Sequence, residues 1–160
     1  MSYFQTIPSG RICRVVLVGA GQMGQKWMRL LQDCEDVDLL GVVDIDLEAS
    51  RRALHAVGIA GVAVSTDLSG LLRQVPVDAV VNVTVPEAHF DINRACLRAN
   101  IPVLCEKPLV SSLSQAYLLA GVAEHHSTLL AASQSRRYYR RLSELRATMS
   151  EIGAPFLVTA

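Results

Sequence analysis

A chain of 160 residues, 51% hydrophobic and 19% charged, can bury about 70% of its unfolded surface in one core, which excludes a disordered segment and any need for disulfides or metal. Its 15 basic and 15 acidic side chains cancel, so the basic excess of a non-specific nucleic-acid binder is absent. No run approaches the ~18 consecutive apolar residues of a membrane-spanning helix.

The opening, MSYFQTIPSGR, lacks the charged start of a signal peptide. The first apolar run, Ile12–Val18, leads into Gly19-Ala20-Gly21-Gln22-Met23-Gly24. A helix follows, with Met23, Trp27, Leu30 and Leu31 at i, i+4, i+7 and i+8 as its expected inner face. A second run, Asp38–Val43, ends at Asp44, and Asp46 suits the N-cap of the next helix. Runs at Gly61–Val64 and Ala79–Thr84 come next, with Pro86 at a first helical position. Pro102–Cys105 is a fifth run, and Ser112 with Gln115 forms a capping box before a helix over Leu113–Glu124. His125-His126 closes that helix, where a cation suits the dipole. A sixth run, Thr128–Ala132, precedes the basic stretch Arg136–Arg141, and Leu142, Leu145, Met149 and Ile152 predict a packed helix with a basic outer face. Pro155–Val158 reads as the start of a further strand.

Near-continuous Val, Leu, Ile and Ala runs are those of strands buried on both faces. Their alternation with helices predicts an α/β fold with a doubly wound, mostly parallel sheet of the Rossmann type, whose ligands bind beyond the carboxyl ends of the strands. Cys13, Cys34, Cys96 and Cys105 stand at no metal-ligand or redox spacing, so buried thiols in a reducing, cytoplasmic protein are expected.

The glycine turn fits G-x-G-x-x-G between a strand and a helix, with an acid 20 residues after Gly24. Gly19 permits the tight turn, Gly21 lets backbone approach a pyrophosphate, and Gly24 lets helix and strand pack closely. Gln22 and Met23 complete the turn, at a helix N-terminus that favours negative charge. Asp44 is the ribose-binding carboxylate. It repels a 2′-phosphate and favours NAD over NADP, while Arg51 and Arg52, a turn into the next helix, read as a solvated face. A turn that merely joins strand to helix is the plainer alternative.

The fourth and fifth strands end in Thr84-Val85-Pro86-Glu87-Ala88-His89 and Cys105-Glu106-Lys107-Pro108. With G-A-G-Q-M-G, V-V-D-I-D, and Arg137-Tyr138 followed by a helix and Ile152-Gly153, these make the chain resemble the N-terminal domain of the Gfo/Idh/MocA family of glucose–fructose oxidoreductases and inositol dehydrogenases, from about Ile12 to the end. The resemblance implies an NAD(P)-dependent oxidoreductase of sugar, polyol or related hydroxy and carbonyl compounds. It puts Lys107 at the nicotinamide as the catalytic group and Thr84, Pro86 and His89 along the nicotinamide side, His89 lining the cleft rather than acting as a base. It brings Arg137 to the cleft border.

Physical chemistry points the same way for Lys107, since an ammonium can hydrogen-bond a reacting oxygen and stabilise its charge. Glu106 can hold Lys107 or a ribose hydroxyl, and Pro108 fixes the backbone, with a cis Lys107–Pro108 bond open to it. Cys105 reads as a buried strand cysteine rather than a redox sensor.

Residues 1–133 are thus expected to form the cofactor domain, and residues 134–160 a connecting helix and the first strand of a C-terminal substrate domain. The D-x-x-x-H pattern of the family's second domain is not among these residues. Without that domain the chain is expected to turn over poorly, and its last strand to fray or pair with another copy; a homo-oligomer is expected. Two alternatives stand beside this reading: a non-catalytic dinucleotide sensor, and another Rossmann-type protein such as a dihydrodipicolinate-reductase-like or methyltransferase domain. Glu106-Lys107-Pro108 argues against both.

Overall fold

The structure, a computed structural model, describes residues 10–152. The strand expected at Pro155–Val158, together with Gly153 and the side chains of Arg137, Tyr138 and Ile152, lies outside what is described. In chain order the elements are β1 (Cys13–Val18), α1 (Gln22–Gln32), β2 (Val37–Val43), α2 (Leu47–Val57), β3 (Ala63–Ser65), α3 (Leu68–Gln74), β4 (Ala79–Asn82), α4 (Pro86–Arg98), β5 (Val103–Cys105), α5 (Leu113–His125), β6 (Leu130–Ala132), a single 3-10 turn (Ser135–Tyr138) and α6 (Arg140–Ile152).

The strands form one sheet in the order β3-β2-β1-β4-β5-β6, and every pairing is parallel. This is the doubly wound arrangement expected from the alternating runs. Successive residues of a strand point to opposite faces, so β1 feeds two cores. Val15 and Leu17 pack with Met28, Leu31, Ala53 and Leu54 on the side of α1 and α2. Val16 and Val18 pack with Leu71 and Cys96 on the side of α3 and α4. Among the described residues no helix is long and apolar enough to cross a membrane.

Caps follow the sequence closely. The Asp46 carboxylate accepts from the Glu48 and Ala49 N–H groups at 2.9 and 3.1 Å. Pro86 opens α4. Ser112 accepts from the Gln115 N–H, but the Gln115 side chain reaches back to the Ser111 N–H, one residue earlier than a reciprocal box requires.

Two expectations about helix faces need correction. The buried residues of α1 are Gly24, Met28 and Leu31, with Trp27 partly buried, whereas Met23 and Leu30 are exposed. The reason is steric. A Cβ on Gly24 would stand 2.1 Å from the Gly19 carbonyl oxygen, so the glycine, not the bulkiest apolar side chain, decides which face turns inward. On α6, Leu142 and Leu145 are exposed rather than packed. Among the cysteines, Cys34 is also exposed, against the expectation of a buried thiol.

The amino-terminal end of the sheet is held by charge. Asp78, ahead of β4, accepts from the Arg14 side chain through both oxygens at 2.9 Å and from the Arg14 N–H at 2.9 Å, and Arg11 joins the pair. The Arg14 guanidinium, more than any other group, holds the Asp78 carboxyl well below the usual carboxylate range.

Because that folded-state value lies below the unfolded value of about 3.9, the stabilisation is complete above about pH 4 and is lost as pH falls through the folded value. Asp78→Asn is expected to cost about 1–3 kcal/mol at neutral pH. The gap from wild type should narrow as pH falls below about 4, as read by urea unfolding; a gap independent of pH would contradict it. Gly24→Ala, meeting backbone rather than a movable side chain, is expected to cost about 3 kcal/mol or more, read by the same unfolding curves.

Candidate functional site

The residues singled out from sequence gather in the turns that follow β1, β2, β4 and β5. β1 has β2 on one side and β4 on the other, so these turns border the crevice where the chain direction of the winding reverses.

Gly19 has φ +106°, and a Cβ there would stand 2.9 Å from the Val83 carbonyl carbon, so only glycine lets the turn cross the end of β4. Gly21 is the opposite case: nothing lies within 4 Å of where its Cβ would be. It is also the N-cap of α1 and supplies no side-chain acceptor, and the first turn, with Gln22 and Met23, holds no acidic residue. Open space over a glycine beside uncapped helix N–H groups is a cradle that suits a phosphate, and a side chain would fill it.

Asp44 is tied to this turn. One oxygen accepts from the Ala20 N–H at 2.7 Å and the other from the Asp46 N–H at 3.0 Å, so the carboxylate is fixed at the lip of the glycine loop. Arg51 pairs with Glu48, and Arg52 with Asp46 at 3.2 Å, so both arginines are engaged on the outer surface of α2.

Glu106 is the junction on the other side. Its Oε1 accepts from Trp27 Nε1–H at 3.3 Å and from the Ser133 hydroxyl at 3.2 Å, and its Oε2 from the Lys107 backbone N–H at 3.2 Å. The carboxylate therefore links α1, the end of β5 and the residue after β6, and it holds the Lys107 backbone rather than its ammonium. Lys107 is exposed, its amine forms no hydrogen bond or ion pair among the described residues, and the Lys107–Pro108 bond is cis.

His89 stands apart from its expected place. It is 1% exposed and lies beneath the cleft rather than lining it, with Nδ1 2.6 Å from the Pro108 carbonyl oxygen and Nε2 3.1 Å from that of Thr84. A second buried polar group supports the same turn. Asn82 accepts from the Thr84 hydroxyl at 2.7 Å and N–H at 3.3 Å, and donates to Asn93 at 2.9 Å. Pro86 is exposed at the start of α4. Burial pushes the Cys105 thiol up to about 11 and Cys96 up to about 12; Asn93 works against the rise at Cys105 and Glu106 adds to it. Both thiols stay protonated at neutral pH, as suits core residues rather than redox sensors.

Sequence reasoning missed Trp27, Ser133, Asn82 and Asn93 as members of this region. Asn82 carried a signal: it is the one polar residue of β4.

Residues 13–134 match the GFO_IDH_MocA family, described as an oxidoreductase family with an NAD-binding Rossmann fold. The chain is 36% identical over 154 residues to inositol 2-dehydrogenase 4 of Saccharopolyspora erythraea, covering 94% of this chain and 45% of that one. It is 32% identical over 133 residues to the rhizopine catabolism protein MocA of Rhizobium meliloti, covering 83% and 41%. Among solved structures, GenD2 from gentamicin A biosynthesis, in complex with NAD, is similar at TM-score 0.77 and 31% identity, over 91% of this chain and 43% of that one. The myo-inositol dehydrogenase of Lactobacillus casei, in complex with NAD(H) and myo-inositol, is similar at TM-score 0.80 and 27% identity, over 90% and 43%. The chain spans less than half the length of these relatives. With the profile match running through the glycine turn, Asp44 and Glu106-Lys107-Pro108, the chain belongs to the Gfo/Idh/MocA oxidoreductase family and carries its NAD-binding Rossmann domain.

Proposed function

We propose that this chain binds NAD or NADH and forms the cofactor half of a dehydrogenase acting on a sugar, a polyol or a related hydroxy or carbonyl compound. Residues 1–133 are the cofactor domain, and residues 134–160 lead into a substrate domain. The observation that carries the reading is the convergence, at one end of the sheet, of an open glycine turn, a fixed carboxylate and an ammonium unpaired among the described residues. The relatives named as inositol 2-dehydrogenases support the polyol class.

Gly19, Gly21, Gln22, Met23 and Gly24 hold the pyrophosphate on backbone N–H groups. Asp44 accepts from ribose hydroxyls. Its charge, with Asp46 beside it, opposes a 2′-phosphate, and the arginines that would offset this are already paired. That favours NAD over NADP. Thr84 and Pro86 border the nicotinamide side, with Glu106 bracing the loop that carries Lys107. When bound, the nicotinamide supplies a hydride acceptor or donor. Lys107 Nζ hydrogen-bonds the substrate oxygen, stabilises charge developing there and holds or releases its proton. Orientation of the substrate falls to the second domain.

Calorimetric titration of the chain is expected to give NAD binding at least about tenfold tighter than NADP, and Asp44→Ala is expected to weaken NAD about tenfold while leaving NADP no weaker. A folded chain that binds no NAD at millimolar concentration would overturn the reading. In a chain extended by a substrate domain, Lys107→Met is expected to lower kcat about 10²-fold or more with little change in NAD affinity; an unchanged kcat would remove Lys107 from the chemistry.

A further inference from the structure

Lys107 sits on a loop whose height over the sheet must be set by something. Glu106 fixes its backbone on one side, through the Lys107 N–H. On the other side stands His89, at the fourth position of α4 and almost wholly buried. Its two ring nitrogens face two carbonyls from different strand ends: Pro108, the residue after Lys107, at 2.6 Å, and Thr84, in the turn after β4, at 3.1 Å. A buried polar ring is costly unless it is bonded, and a core helix face usually carries apolar side chains at such positions. Here α4 carries two polar residues inward at i and i+4. His89 engages the Thr84 and Pro108 carbonyls, and Asn93 engages Asn82, which in turn holds Thr84. Both side chains support the turn after β4, and His89 alone of the two also reaches the Pro108 carbonyl.

We propose that His89 is a positioning residue, an internal clamp that joins the Thr84–Pro86 turn to the loop of Glu106-Lys107-Pro108 and so sets the placement of Lys107 across the cleft. The proposal rests on the reading of Lys107 given under Proposed function. His89 touches neither cofactor nor substrate; it acts through the two carbonyls. Two carbonyls need two N–H donors, which the ring supplies when each nitrogen carries a proton; a glutamine amide, with two N–H donors, can retain the clamp, whereas an apolar side chain of similar bulk fills the space and holds nothing.

The test compares His89→Leu with His89→Gln in the 160-residue chain. Amide hydrogen exchange without ligand comes first. In His89→Leu the Thr84 and Lys107 amides are expected to exchange together about tenfold faster, the β1 amides Val16 and Leu17 keeping their rates, and His89→Gln is expected to stay near wild type. The second reading is the affinity for NADH set against ADP-ribose, which lacks the nicotinamide. In His89→Leu the NADH affinity is expected to fall about tenfold while ADP-ribose binds as to wild type, with recovery in His89→Gln. Equal exchange in the Leu and Gln variants, faster exchange in one loop only, or parallel loss of NADH and ADP-ribose would each overturn the clamp and leave His89 a packing residue. A wild-type chain that binds neither ligand, yet still separates Leu from Gln by exchange, would overturn the proposed function while supporting the clamp.

Discussion

The turn from β1 into α1 depends on an absent side chain. A Cβ on Gly24 would meet the Gly19 carbonyl oxygen at 2.1 Å, and one on Gly19 would meet the backbone at Val83 at 2.9 Å. These approaches let the helix begin directly over the end of its own strand and against the neighbouring one. They also set the rotation of α1 about its axis. Met28 and Leu31 then fall into the core, and Trp27 swings toward β5, where its indole N–H meets Glu106. One steric allowance thus reaches from the phosphate cradle to the loop that carries Lys107.

A parallel sheet brings all its carboxyl ends to one edge, and that edge is where polarity collects. The strands are apolar over most of their length, Arg14 and Asp38 near the amino ends of β1 and β2 apart, because helices cover both faces. At their ends the character changes within a residue or two: Val43 to Asp44, Val81 to Asn82, Cys105 to Glu106. Each of these polar side chains is spent on backbone N–H groups or hydroxyls of the turns at this edge, and Asp44 reaches back to the turn after β1. Polar groups of this kind, Asn82 buried and Asp44 and Glu106 half-buried, hold loops that have no regular hydrogen bonding of their own. His89 and Asn93 extend the same support from below.

The two ends of the sheet use carboxylates differently. Asp78, at the amino end, is enclosed by Arg14 and Arg11 and is neutralised there. Asp44, at the carboxyl end, is bonded by backbone N–H groups and by no cation among the described residues. The first arrangement stabilises a fold; the second leaves a negative charge oriented and available. Glu106 belongs to the second kind, with neutral donors around it.

Much was legible in the sequence. The strand–helix alternation, the glycine turn, Asp44, and the caps at Asp46 and Ser112 depend on local rules: backbone conformation, periodicity and spacing along the chain; the Glu106-Lys107-Pro108 loop stood out through the family resemblance. What the folded structure alone decided depends on contacts that the hydrophobic pattern does not show, most of them between residues far apart in sequence. Met28 rather than Met23 faces inward, because a contact between Gly24 and Gly19 outweighs the hydrophobic pattern. Trp27, Ser133 and Glu106 meet across 106 residues of chain. The family resemblance put His89 along the cleft, and it proved to be a buried link: Thr84 is close to it in sequence, and the pairing of β4 with β5 brings Pro108 within reach. Local sequence sets which groups each strand end offers; the order of strands in the sheet sets which of them can touch.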